Sequence, residues 1–136
     1  MATTTATVTL SSSDLTGDAL SLSASTTLTK ADSVTGLDQT TGVARKIYTQ
    51  NTADVLIDES LYADDKAHKL YLRNPSTVST EYFLISVGNG AADTEIGRLY
   101  AGDWMFIPYS ADTNVDVVIT PSVATTMTLE YMLIHE

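Results

Sequence analysis

The residues of this chain with reactive potential are two histidines, a scatter of carboxylates and a single tryptophan. His68 lies in DDKAHKL, where Asp64 or Asp65 stands near enough in sequence to orient an imidazole. Serine hydrolysis needs such an imidazole beside a nucleophile on a tight elbow. The chain contains no G-x-S-x-G, so His68 is expected as an exposed loop or strand-edge residue. His135 is the penultimate residue, where ends fray. Glycoside hydrolysis needs two acids across a cleft, and the spacing of Glu59, Glu81, Glu95, Glu130 and Glu136 brings no two together. Glu130, in TLEYMLI, is flanked by apolar residues. A partly buried carboxylate there needs a cation, and Arg45, Arg73 or Arg98 is expected to supply it in a structural ion pair. The acids of DESLYADD and ADTNVD do not follow the calcium-loop pattern, and turn aspartates in water are the expectation. With no cysteine and no clustered histidine, zinc lacks ligands. No catalytic residue, metal or cofactor is therefore expected.

Two clusters suit contact rather than catalysis. Lys66, His68, Lys69 and Arg73 form a basic group suited to an acidic neighbour; equally, lysines at a strand entry discourage edge pairing. The stretch GRLYAGDWMFIPYS concentrates aromatic rings around Trp104. Trp104 and Phe106 share one parity, Met105 and Ile107 the other, so both faces of this strand are apolar. A strand covered on both sides is expected, with Trp104 in the core, then against another subunit, then as a sugar-stacking platform.

Composition narrows the partners. The formal net charge is -10 with no basic stripe, which argues against nucleic acid. No window approaches the run of about 18 apolar residues that a membrane helix requires, and MATTTATVTLSSS has no signal-peptide pattern. A soluble protein made in a reducing cytoplasm is the expectation.

The elements that must hold these residues are strands. Residues 1–42 are Thr/Ser-rich, and in DALSLSASTTLTK the residues Leu20, Leu22, Ala24 and Leu28 share one parity. That is period-2 alternation, so the segment reads as an extended, partly stranded arm. Thr7, Thr9 and Leu10 of TATVTL are its candidate contacts with a neighbour, by strand addition. From residue 43 onward, runs such as HKLYLRN, TEYFLISV, DWMFIPY, VDVVIT and TMTLEYMLIHE are separated by turn residues. Pro75, Pro108 and Pro121 follow apolar runs, where strands stop. Asn89-Gly90 marks a turn, and Gly102 suits a tight hairpin leading to Trp104. A single helical turn is expected around residues 61–66. The reading is an all-β chain, with residues 43–136 forming an antiparallel β-sandwich or jelly-roll-like barrel.

The order LYLRNPS, AGDWMFIP, LEYML, from residue 69 onward, resembles a group of small virion proteins of tailed phages, especially marine and cyanobacterial ones. The resemblance covers about half the chain. It implies a virion structural protein, most simply a decoration or cement protein on the outer capsid surface. Its partners would be the major capsid protein and copies of itself, as a homotrimer. Lys66, Lys69, Arg73 and Trp104, with Thr7, Thr9 and Leu10, are the candidate contacts. A sugar-binding or fibre-anchoring module is the alternative.

Overall fold

Alternating Thr and apolar residues near the N-terminus build an antiparallel hairpin within the Thr/Ser-rich segment. The structure is a computed structural model that describes residues 2–90 and 93–136. It divides into two compact units, one ending at Asp38 and the other running from Gln39 to Glu136. In the first, β1 (Thr5–Ser12) pairs antiparallel with β2 (Leu20–Thr27) in unbroken register from Thr5↔Thr27 to Ser12↔Leu20. Period-2 pleating sorts the side chains. Thr5, Thr7, Thr9 and Ser11 face the same way as Ser21, Ser23, Ser25 and Thr27, and Thr7 Oγ1 lies 3.0 Å from Ser25 Oγ. Ala6, Val8 and Leu10 lie on the other face with Leu22 and Ala24. The chain then folds back, with Leu37 N–H donating to the Leu28 carbonyl at 3.0 Å. Gly36 belongs here for lack of space: a Cβ would stand 2.1 Å from the Ala2 carbonyl oxygen.

The second unit holds β3 (Gln39–Thr40), β4 (Ala44–Tyr48), β5 (Asp54–Ile57), β6 (Lys69–Arg73), β7 (Tyr82–Gly88), β8 (Thr94–Tyr100), β9 (Trp104–Pro108), β10 (Asp116–Pro121) and β11 (Met127–His135). Gln39 and Thr40, assigned from sequence to the N-terminal segment, pair with His135 and Ile134 of β11. The expected helical turn falls slightly earlier, at Glu59–Leu61, where the Asp58 carboxylate accepts from Ser60 N–H. Pro108 and Pro121 end β9 and β10. Asn89-Gly90 follows β7 with Gly90 at φ +79, and residues 91 and 92 lie outside the described residues.

Two antiparallel sheets result. One has the order β5-β10-β7-β8; in the other β3 and β4 both pair β11, which continues to β6 and β9. Counting from β4, the first of eight strands pairs the last, the second the seventh, the third the sixth and the fourth the fifth. This is the double-sheet jelly roll, as an open sandwich and not a closed barrel. Of the connections between these strands, only β7–β8 joins neighbours in one sheet. The AGD segment before Trp104 is therefore not the expected hairpin: β8 pairs β7 and β9 pairs β6, so the chain crosses from one sheet to the other. The inward faces bury Leu70, Leu72, Phe83, Ile85, Val117, Ile119, Leu129 and Leu133 between the sheets.

The crossing ahead of Trp104 is fixed by Asn74. Gly102, at φ +84, takes the left-handed conformation that suits glycine, and Asp103 N–H donates to the Tyr100 carbonyl at 2.9 Å. Asn74, fully buried, accepts from Gly102 N–H through its carbonyl and donates to the Asp103 carbonyl through its own N–H. Its side-chain amide donates to the Leu99 and Glu81 carbonyls at 3.0 and 3.3 Å, and its Oδ1 accepts from Ser76 N–H. Removing that amide strands buried carbonyls. Asn74→Ala is expected to destabilise the domain by about 2–4 kcal/mol, read as a lower urea midpoint.

Candidate functional site

Pleating and register place three of the contact residues on one surface. On β6, Leu70 and Leu72 face the core, so Lys69, Tyr71 and Arg73 face outward. The register sets Arg73 opposite Trp104, Tyr71 opposite Phe106 and Lys69 opposite Pro108. On β11 the outward set includes Glu130, opposite both Arg45 and Arg73, and Met132, opposite Tyr71. Two rows thus cross the sheet: Arg45, Glu130, Arg73, Trp104, and beside it Met132, Tyr71, Phe106.

Trp104 is not in the core. Met105 and Ile107 pack inward, while the Trp104 ring is 53% exposed. The apolar character of both parities has two causes here. One parity meets the opposite sheet; the other belongs to the outer surface of β9, a terminal strand of its sheet. Glu130 has the expected ion pairs, with Arg45 at 3.2 Å and Arg73 at 3.8 Å, while Arg98 pairs Glu95 in the other sheet. The carboxylate is largely covered whereas both guanidinium groups remain substantially exposed. Arg45, Lys69 and Arg73 gather around Glu130 on this face, in a chain of net charge -10, with the Glu136 carboxylate acting on Lys69. An open depression of about 360 Å³ adjoins its Arg45 end, with Ser76, Glu81 and Thr128 in the wall.

The remaining contact residues lie elsewhere. Lys66 is exposed in the loop before β6. Thr7 and Thr9 stand on the hydroxyl face of the N-terminal hairpin and Leu10 on its apolar face.

The histidines differ from expectation. His68 is fully buried, with Nε2 2.9 Å from the Ala63 carbonyl oxygen and Nδ1 without a partner. Neither Asp64 nor Asp65 orients it through that nitrogen. The polar residues of DDKAHKL gave no sign of this, because the cover comes from outside the motif: the rings of Tyr62, Tyr109 and His135 lie around it at 6.1–6.2 Å. His135 is held within β11 and meets Tyr62 edge-on at 5.0 Å. Burial first, then the neighbouring His68, lowers the His135 pKa, against an opposing hydrogen bond with the Glu136 backbone. The folded state thus favours neutral His135, and the unfolded chain binds its proton more readily. Its stabilising contribution is complete above the unfolded value of about 6.5 and is lost as pH falls below it. Wild-type protein is expected to melt at a lower temperature at pH 5.5 than at pH 7.5. His135→Gln should reduce that difference in parallel melting curves.

Among the described residues no three His, Asp or Glu side chains are grouped to hold a metal, and no helix is long and apolar enough to cross a membrane. What the site offers is a surface: rings, a thioether and paired guanidinium groups, the residue types concentrated at the centres of protein interfaces.

No protein-family model and no curated protein matches the chain. Among solved structures it is similar to the Yersinia pseudotuberculosis-derived mitogen, at 8% identity and a TM-score of 0.47, over 72% of this chain and 86% of that one.

Proposed function

We propose that the chain is a non-enzymatic structural protein of a tailed-phage virion, a decoration or cement protein bound to the outer surface of an assembled capsid. Its partners are the major capsid protein and further copies of itself, with a homotrimer as the working assembly. The observation that carries the reading is the outward face of the sheet containing β9. There a half-exposed Trp104 stands in register with Arg73, with Phe106, Tyr71 and Met132 alongside. The jelly roll adds fold-level support by analogy, since viral capsid and lectin domains use it. The LYLRNPS, AGDWMFIP and LEYML segments that carry the phage resemblance include most of β6, all of β9 and part of β11.

The physics is that of linkage. A protein that binds the assembled shell and not its free subunits stabilises the shell by mass action. Many small contacts acting together are sufficient. Cations gathered on one face of an acidic molecule help orient that face toward an acidic partner. The test is to challenge shells of the encoding phage with heat, with and without saturating protein. Rupture at a higher temperature supports cementing; an unchanged rupture temperature removes it.

The exposure of Trp104 also favours a second reading. A ring open to solvent beside polar groups is what a sugar-binding module presents. A glycan array separates the two: a defined glycan class bound through Trp104 favours the second.

A further inference from the structure

We propose that the apolar face of the β1–β2 hairpin is a self-association surface, covered by the same face of further copies of this chain. It rests on the oligomeric part of the reading above and names the surface through which copies meet.

The hairpin has two unlike faces. On one, Thr and Ser hydroxyls stand opposite one another across the strands, and Thr7 and Ser25 bond each other at 3.0 Å. That face is served by its own hydrogen bonds and by water. On the other, the central cross-strand pairs are Val8↔Ala24 and Leu10↔Leu22, while at the ends of the stripe Ala6 stands opposite Thr26 and Leu20 opposite Ser12. Leu10 is 51% and Leu22 46% exposed. The sheet is two-stranded, and an isolated two-stranded hairpin is marginal in water unless its apolar side finds cover.

Charge identifies the occupant. At net charge -10, copies of this chain repel one another over most of their surface. A symmetric assembly brings like residues together about its axis, so a self-contact must lie where like charges do not meet. The strands β1 and β2 contain no Asp, Glu, Lys, Arg or His. The same absence leaves a charged partner nothing to pair with. Leu, Val and Ala packed on Leu, Val and Ala are complementary by construction, and the hydroxyl faces then point outward.

The test measures the mass of the full chain by light scattering after size-exclusion chromatography. The parent is expected at a multiple of 14.6 kDa. Leu10→Ser with Leu22→Ser, and separately Leu10→Lys, should fall to a single chain mass. Ser23→Lys with Ser25→Lys, on the hydroxyl face, should keep the parent's mass. Circular dichroism and Trp104 fluorescence check that each variant is folded; if the leucine variants fail to fold, the parent and the Ser23/Ser25 variant still decide. A monomeric parent at high concentration, a folded leucine variant that stays oligomeric, or a monomeric Ser23/Ser25 variant would each overturn the inference. Shell binding distinguishes the two proposals. A monomer that binds shells sinks the self-association surface alone, and an oligomer that does not bind them sinks the decoration reading alone.

Discussion

Trp104→Ala is expected to weaken binding to assembled shells by about 30- to 1000-fold, the equivalent of about 2–4 kcal/mol. The indole offers the largest ring on the outward face and is already half-exposed, so truncation removes contact area without opening a core cavity. Folding stability should consequently change little, which separates this variant from one that merely unfolds. Arg73→Glu should act in the same direction through charge. It leaves Glu130 with Arg45 as its remaining partner and replaces one of the three cations of the face with an acid. Its effect should shrink in high salt, where exposed charges are screened, whereas that of Trp104→Ala should persist. Arg98 provides the control: it lies in the other sheet, over the Tyr82 ring at 4.8 Å, and Arg98→Ala should leave shell affinity unchanged. Titration of each variant onto shells, followed by sedimentation, reads all three. Parent-like affinity in Trp104→Ala removes this face from the account.

Phe83→Ala should be the most damaging single truncation for folding, at about 3–5 kcal/mol. Phe83 is fully buried in β7 and its ring lies 5.6 Å from that of Tyr48, which belongs to the opposite sheet. The ring therefore fills space between the layers, where the loss adds a cavity to the lost transfer energy. Single domains are stable by about 5–15 kcal/mol, so a large share disappears. With a urea dependence of about 1–3 kcal/mol per molar, the unfolding midpoint should drop by more than about 1 M. Leu61→Ala is the contrast, since Leu61 is 74% exposed and should change stability by less than about 0.5 kcal/mol.

What was legible in the sequence follows from which forces are local. Strand alternation is local, so the runs around Leu70, Phe83 and Ile119 were readable, and so were the proline stops at Pro108 and Pro121. The all-β sandwich followed from their cadence. Pairing is not local. The Gly102 turn has hairpin chemistry, but the partners of β8 and β9 are set by β7 and β6. Burial is not local either. Parity correctly placed Trp104 with Phe106 and opposite Met105, yet which parity faces the other sheet depends on strands elsewhere in the chain. His68 shows the reverse error: a polar neighbourhood in sequence became a buried place among rings in space. Glu130 was the most accurate local inference, because an acid between apolar strand residues must find a cation, and two of its three available arginines are strand neighbours. The N-terminal segment showed its alternation but not its partner, which turned out to lie within the segment itself.

The proposed recognition of an assembled shell is tested by co-sedimentation of the full chain with purified shells of the phage proposed to encode it and with their unassembled capsid protein. Saturable binding to intact shells at a fixed ratio of copies per capsomer, with little binding to free subunits, is expected. Equal binding to both, or none to shells under conditions where Trp104 binds a glycan, would contradict it.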